Sequence, residues 1–308
     1  MIWRCILIIA CAHISTSNPT GCSYDADTVL YTCNARFWVL PLAYADFTVQ
    51  PQRILLKDVA GELPEQAPNG PTFSGFVNTN TAVFDAKFSP SLHIMCYAKS
   101  SLIIFKDTFT DFGWIEEVII QDCDILSLPV EVFSYLGDIN SFTIQGGSIS
   151  NMVSDSFKGL NVKKITTALT PKGEFIIRNS QLTSGAFPFG AFFHLTNAEV
   201  IILDNNHISS FQKDTFYSNP KLSNLSLNYN QFTSVPEEMF SASKSLGDVS
   251  MWGIQWTCTC SELWFIPYII ENNITLHGDI LCSAPAEYAS KCCLIVDTRS
   301  KCLLSDLY

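Results

Sequence analysis

The thiols are the most reactive groups in this chain of 308 residues, and they are unevenly placed. Cys22 and Cys33 stand near the beginning. Cys258, Cys260, Cys282, Cys292, Cys293 and Cys302 crowd the last quarter, with Cys96 and Cys123 between the groups. Two chemistries suit this pattern. A Cys-x-Cys pair at 258 and 260, joined by His277, could begin a zinc site. The same cysteines could instead form disulfides in an oxidising compartment, which explains both clusters together. Cys22 and Cys33 would then close a small staple at the N-terminal end. Acid–base and nucleophilic chemistry lack a constellation: H-E-x-x-H, G-x-S-x-G, a phosphate-binding glycine loop and a calcium loop do not occur. The imidazoles of His93, His194, His207 and His277 are dispersed and read as surface or edge groups. The expectation is a protein without catalytic activity, cofactor or metal.

The compartment is consistent with disulfides. Arg4, the apolar run Cys5–Ala12 and small residues up to Ser17 form a secretory leader, residues 1–17, too short to span a bilayer. A lipid-modified leader ending at Cys11 is the alternative. Removing the leader takes Cys5 and Cys11 from the 12 cysteines and leaves ten. Later apolar runs are short; Trp264–Ile270 contains Pro267. The reading is a secreted, extracellular protein with no membrane insertion. The net charge of −11 argues against nucleic acid, whose affinity comes from neutralising phosphates with Lys and Arg. Asn224-Leu-Ser226 and Asn273-Ile-Thr275 are N-glycosylation sequons.

The elements that hold these residues are read from phenylalanines. Phe109, Phe133, Phe157, Phe192, Phe216 and Phe240 are spaced 24, 24, 35, 24 and 24 apart. The odd interval is one period plus 11 residues. A second register runs alongside: apolar residues at positions 1, 4, 6 and 11 and a small or polar residue at 9. Leu222, Leu225, Leu227, Asn230 and Phe232 fit it best. Ala198, Ile201, Leu203, Asn206 and Ile208 precede them, as do the sets beginning at Ile115 and Ile139. The series is read to open with Leu92, Met95, Tyr97, Ser100 and Leu102. One unit is read with Lys172 at its first position. The array closes with Leu246, Val249, Met251, Ile254 and Trp256. Positions 4 and 6 of a short strand point inward and 3, 5 and 7 outward. The phenylalanines should form one continuous buried stack on the side away from the strands. In this register Cys96 faces solvent four residues out of step with Cys123. That is on the order of 13 Å, so Cys123 is expected to be a buried free thiol.

The pattern L-x-x-L-x-L-x-x-N/C-x-L resembles that of leucine-rich repeats. The resemblance implies an α/β solenoid with a parallel sheet on a concave face. Repeats would span 92–257, after an N-terminal cap and degenerate repeats over 18–91. Ile54 and Leu56 look like a degenerate strand there, and Glu62–Pro71 a surface loop. Residues 258–308 resemble the cysteine-rich C-terminal cap of extracellular members of that family. Trp256, Cys258, Cys260, Leu263, Trp264, Cys282 and Pro285 fall on the cap's motif, while Ile254-Gln255 replaces its Asn-Pro. The resemblance implies a Cys258–Cys282 disulfide, leaving Cys260 to pair with Cys292, Cys293 or Cys302. The repeat style is also similar to that of secreted crustacean-type leucine-rich-repeat proteins, among which non-catalytic luciferase subunits occur.

On the concave face the register puts a small-to-apolar stripe at position 5: Cys96, Ile119, Thr143, Ile176, Ile202, Ser226 and Ser250. Around it lie Glu116, Glu117, Asp122, Glu174, Glu199, Asp204 and Asp248, against Lys99 and Arg178 alone. This reads as an acidic groove with an apolar floor, suited to a basic protein, or to a surface glycan. Candidate contacts are Glu116, Glu117, Ile119, Asp122, Ile176, Arg178, Ile202 and Asp204. The insertion, placed within Asn161–Pro171, carries Lys163 and Lys164 and is a candidate functional loop. A glycan on Asn224 would shield the C-terminal part of the groove. The expected function is recognition of a macromolecule, or service as the non-catalytic accessory subunit of a secreted enzyme complex.

Overall fold

The computed structural model describes residues 17–37, 42–63, 73–76, 84–165, 172–259 and 261–286. Through them runs one eleven-stranded sheet whose strands lie in chain order. They are β1 (Cys22–Asp25), β2 (Leu30–Asn34), β3 (Arg53–Val59), β4 (Ser91–Cys96), β5 (Glu117–Gln121) and β6 (Ser141–Gln145). β7 (Glu174–Arg178), β8 (Val200–Ile202), β9 (Asn224–Ser226), β10 (Asp248–Ser250) and β11 (Thr275–His277) complete it. β1 and β2 make an antiparallel hairpin, and the later neighbours pair in parallel. The architecture is therefore a parallel-sheet solenoid. Beyond the sheet its turns carry short strands, chiefly a second parallel ribbon from Gly61–Leu63, Ser101–Ile104, Asp124–Ile125 and Ser148–Ile149. Among the described residues the one α-helix, α1 (Phe265–Glu271), follows the last repeat.

Alternation builds the core. Val118 and Ile120, Phe142 and Ile144, Phe175 and Ile177, Ile201 and Leu203, and Leu225 and Leu227 all point inward and are buried. A left-handed residue at position 8 then turns the chain off the sheet: Asp122, Gly146, Asn179, Asn205, Tyr229 and Gly253 all have positive φ. Asp, Asn and Gly tolerate that conformation best. At position 9 the side chain satisfies backbone groups that the turn releases. Asn206 Nδ2 donates to the carbonyls of Ile177 and Leu203, and its Oδ1 accepts from the amides of Ser180 and Leu182. Asn230 repeats this one turn later. Gly147 holds position 9 for another reason: a Cβ there would stand 2.0 Å from the Cys123 carbonyl oxygen.

The six phenylalanines are buried, but as more than one stack. Phe109, Phe133 and Phe157 lie with successive ring centres 5.8 Å apart. At the insertion Phe175, a strand residue, bridges Phe157 to Phe192. Phe192 stacks on Phe216 at 6.0 Å. Phe240 packs with Trp264 and Tyr268.

Three features differ from the expectations. The first readable strand is displaced: Leu92 and Ile94, not Met95 and Tyr97, pair with Val118 and Ile120. Leu102 does align with Ile125. Three extra residues therefore fit between the strand and position 11, absorbed by left-handed Ala98 and Lys99. Cys96 consequently sits at position 8, next to position 9 of the following turn, where Cys123 lies. The two form a buried disulfide with Cα atoms 5.0 Å apart, so neither is a free thiol. Second, Val162, not Lys172, holds the first position of its unit. Asn161–Val162 pairs with Asp138–Ile139, and Val162 is fully buried. The insertion thus begins after Val162. Third, β2 and β3 extend the sheet to the N-terminal side, so the degenerate strand containing Ile54 and Leu56 is a full member.

Cys22–Cys33 and Cys258–Cys282 are disulfides, which leaves no place for a Cys258 zinc site. Trp256 stacks on Phe265 with ring centres 4.7 Å apart, and Trp264 Nε1 donates to the Val235 carbonyl. These contacts seat α1 on the last repeat. Apart from Ser17, the leader expected over residues 1–17 lies outside the described residues, as do residues 64–72, Cys260 and the cysteines at 292, 293 and 302. Of the surface loop expected over Glu62–Pro71, Glu62 and Leu63 are strand residues instead, and Leu63 is fully buried.

Candidate binding face

The outward positions of the strands form three parallel rows across the sheet. The central row, position 5, reads Thr32, Leu55, His93, Ile119, Thr143, Ile176, Ile202, Ser226, Ser250 and His277. Correcting the register replaces Cys96 by His93. Two imidazoles therefore stand on this face. Between them Ile119 and Ile202 are half-buried, and Ile176 and Thr143 are nearly covered by their neighbours. These β-branched side chains suit strands, and nothing among the described residues covers the row. Burial pulls the His93 pKa below its ordinary value, while a 3.0 Å hydrogen bond with Gln121 Oε1 acts in the other sense.

The N-terminal margin of the face is acidic. Glu117, Ser141 and Glu174 lie side by side on β5, β6 and β7, with Glu116 and Glu199 just ahead of their strands. Burial raises Glu117 above the usual carboxylate range, Glu174 adds to the rise, and Arg53 opposes it. Arg53, Phe88, Glu116, Glu117, Asn140 and Ser141 line a shallow cleft here. Arg53 is held by its hydrogen bond to the Thr28 carbonyl and by the Phe88 ring. The stem of the insertion reaches this cleft: the Ile165 amide donates to Asn140 Oδ1, and Lys163 pairs with Asp138 at 2.6 Å. Lys164 is exposed. On the far side of the insertion, Lys172 extends to Ser223 and Asn224 on and before β9.

The C-terminal margin differs from the expected acidic wall. It runs Lys57, Met95, Gln121, Gln145 and Arg178, and Arg178 donates to Gln145 at 2.8 Å. The acidic groove with Lys99 and Arg178 as its sole cations is corrected accordingly. Arg53 and Lys57 come from a strand that the repeat pattern leaves out, and Lys99 lies in the turn after β4. Carboxylates gather along the N-terminal margin, with Arg53 among them, while the other margin carries Lys57, amides and Arg178 before Asp204, and the apolar row lies between.

Two candidate contacts prove to be committed internally. Asp204 accepts from Ser226 Oγ, the Asn228 amide and Asn228 Nδ2. Asn228 in turn accepts from Ser250 Oγ and the Trp252 amide. Asp204 therefore stitches repeats together. Asp122 is the left-handed turn residue, packed over Gly146 and bonded to Gln121. Glu116, Glu117, Ile119, Ile176, Arg178 and Ile202 do share the face. The ladder from Asp204 to Trp252 makes the strand rows of the β9–β11 end polar and internally satisfied, with the Trp252 side chain exposed beyond β10; the aliphatic row is confined to β3–β8. His277 lies at that polar end, 3.1 Å from Asp248.

Two family profiles agree with this geometry. The profile of a family described as BspA type Leucine rich repeat region matches residues 87–180, and that of Leucine rich repeat matches 196–249. The protein is a leucine-rich-repeat protein. Its repeats fall where the solenoid turns do; the first match runs through the insertion, and the gap between the matches, 181–195, covers the turn after β7. A comparison with curated proteins finds no match. Among solved structures, this leucine-rich-repeat chain is similar to a chain of the octameric complex of Latrophilin 3, Unc5D and FLRT2. That likeness has 12% identity and a TM-score of 0.44, covering 88% of this chain and 95% of the other. Human 5T4 gives 13% identity and a TM-score of 0.48 over 92% and 98%. The TLR13–ssRNA13 complex gives 12% and 0.47 over 75% of this chain and 32% of the other.

Proposed function

We propose that the protein is a secreted recognition module that binds another protein through the β3–β8 part of its open sheet face. The observation that carries this reading is the half-buried row of Leu55, Ile119 and Ile202, continued by the nearly covered Ile176, between a margin rich in carboxylates and one carrying Lys57, amides and Arg178. The strand rows of the β9–β11 end, by contrast, carry Asn224, Ser226, Asp248, Ser250, Thr275 and His277, with Trp252 exposed beside them. The row supplies desolvated contact area, and the margins supply orientation and on-rate. The partner is a protein with an apolar ridge, basic along the side that meets Glu116, Glu117 and Glu174. Toward Lys57 and Arg178 it is acidic or rich in acceptors. Lys163 and Lys164, at the stem of the insertion beside the cleft, are further contacts. Leucine-rich-repeat proteins are in general recognition modules without enzymatic activity, and the three disulfides fit an extracellular setting.

A photo-crosslinking side chain placed at Ile119 or Ile202 tests this in the native extracellular fluid, with Lys221 on the other side of the turn as control. The expected result is one protein crosslinked from 119 and 202 but not from 221, and lost in Ile176→Arg. Equal labelling from all three positions removes the face from the reading. If the captured protein is an enzyme in a fixed ratio, the chain is its accessory subunit. If no protein is captured and a glycan is, the partner class is wrong.

A further inference from the structure

The two sequons occupy opposite situations. Asn224 lies on β9, half-buried, with its oxygen and one of its two Nδ2 protons engaged. Its Oδ1 accepts from Lys172 Nζ and, at 2.8 Å, from Ser223 Oγ, while its Nδ2 faces Asp248 Oδ2 at 3.3 Å. The hydroxyl that completes this sequon, Ser226 Oγ, donates to Asp204 at 2.7 Å. A sugar on Asn224 Nδ2 would take one of its two protons and crowd Asp248, with the His277 ring bonded just beyond. Asn273 stands instead in the tight turn between α1 and β11. It is exposed, with φ of 53°. Asn is among the few residues that adopt this conformation readily. Thr275, which completes the sequon, is exposed as well. Ile274 between them is buried and anchors the turn, its amide bonded to the Ile269 carbonyl.

We infer that Asn273 is the N-glycan acceptor of this chain and that Asn224 carries no glycan. Transfer joins Asn273 Nδ2 to the anomeric carbon of a lipid-diphosphate-linked oligosaccharide. The amide loses one proton, the new C–N bond replaces the sugar–phosphate bond, and the lipid diphosphate leaves. The inference rests on entry of the chain into the secretory compartment. Its consequence is geometric. β11 lies three strand steps from β8, on the order of 14 Å. The glycan therefore stands at the end of the sheet and leaves the β3–β8 patch open. The shielding of the groove expected from a glycan on Asn224 does not arise.

The test uses the full chain expressed in insect cells. Protein from the medium is treated with peptide-N-glycosidase in heavy-oxygen water and mapped by mass. Asn273 should appear as labelled Asp, with Asn224 unlabelled. Asn273→Gln and Thr275→Ala should each remove one glycan from the mobility of the intact protein, and Asn224→Gln should remove none. A label on Asn224, or a secreted chain with bare Asn273, overturns the assignment. Retention inside the cell with an unprocessed N-terminus overturns the secretory reading and the glycan with it.

Discussion

The Cys96–Cys123 disulfide joins adjacent turns of the solenoid in the middle of a run of parallel strands, and its removal has a calculable effect. In the chain-entropy description a crosslink lowers the entropy of the unfolded chain by about 2.1 + 1.5R ln n cal/mol/K. For the sequence separation of 27 that amounts to roughly 3.5 kcal/mol at 25 °C. The same expression gives roughly 2.8 kcal/mol for Cys22–Cys33, whose separation is 11. Cys258–Cys282, with a separation of 24, comes to roughly 3.4 kcal/mol. The perturbation is the double variant Cys96→Ala with Cys123→Ala, which avoids placing hydroxyls in a buried site. Both cysteines are almost fully enclosed, so loss of sulfur contacts adds to the entropic term rather than offsetting it. The assay is urea unfolding followed by far-ultraviolet circular dichroism, preceded by non-reducing peptide mapping to establish the bond. The expected result is a loss of about 3–4 kcal/mol with a somewhat steeper slope in urea, because the uncrosslinked unfolded chain exposes more surface. A loss below about 1 kcal/mol, or mapped free thiols in the parent protein, would refute the crosslink and with it the corrected register of β4.

The remaining expectations concern the core and one ion pair. Phe216→Ala empties a fully buried site stacked on Phe192 and should cost about 3–5 kcal/mol; an unchanged thermal midpoint would show that the ring is not core. Glu131 is held at about 2 by hydrogen bonds and charge from Lys106 and Lys158. Its folded pKa is lowered, so its contribution is present above the ordinary carboxylate range and is lost as pH falls toward 2. Glu131→Gln should therefore lower the unfolding midpoint near pH 6 and converge with the parent near pH 2; parallel curves throughout would contradict the pairing.

The period of 24 made the inward rows legible, because burial of one face of each strand repeats with every turn. From Ile115 to Ile254 the pattern locates the inward residues correctly except at Lys172, whose place Val162 takes. The register failed at β4 because Met95 and Tyr97 satisfy the apolar pattern as well as Leu92 and Ile94 do. Pattern alone cannot see three residues looped out before Leu102. A signal was nonetheless present. Asp122, Gly146, Asn179, Asn205 and Gly253 recur one place before position 9, and these are the types that accept a left-handed backbone. Reading that row as turn residues would have removed Asp122 from the binding face. The insertion was misplaced by two residues because Val162 and Lys172 compete for one position, and burial favours the valine. The electrostatics of the face were missed for a different reason: Arg53 and Lys57 lie on a strand whose repeat is too degenerate to read. Asp204 was unreadable in kind, since a carboxylate serving three donors within the sheet looks, in sequence, like one awaiting a ligand.

Because the strands lie in chain order, each turn touches chiefly the turns before and after it, and the molecule behaves as a line rather than a ball. Such a line can be assembled progressively, each turn docking on a finished neighbour as the polypeptide leaves the ribosome, without waiting for the far end of the chain. It also comes apart directionally. From β4 to β7 neighbouring strands match over five residues, whereas from β7 to β10 they match over three. Backbone amides in the second half should therefore exchange with solvent before those of the first, with the patch-bearing turns persisting longest as a folded remnant.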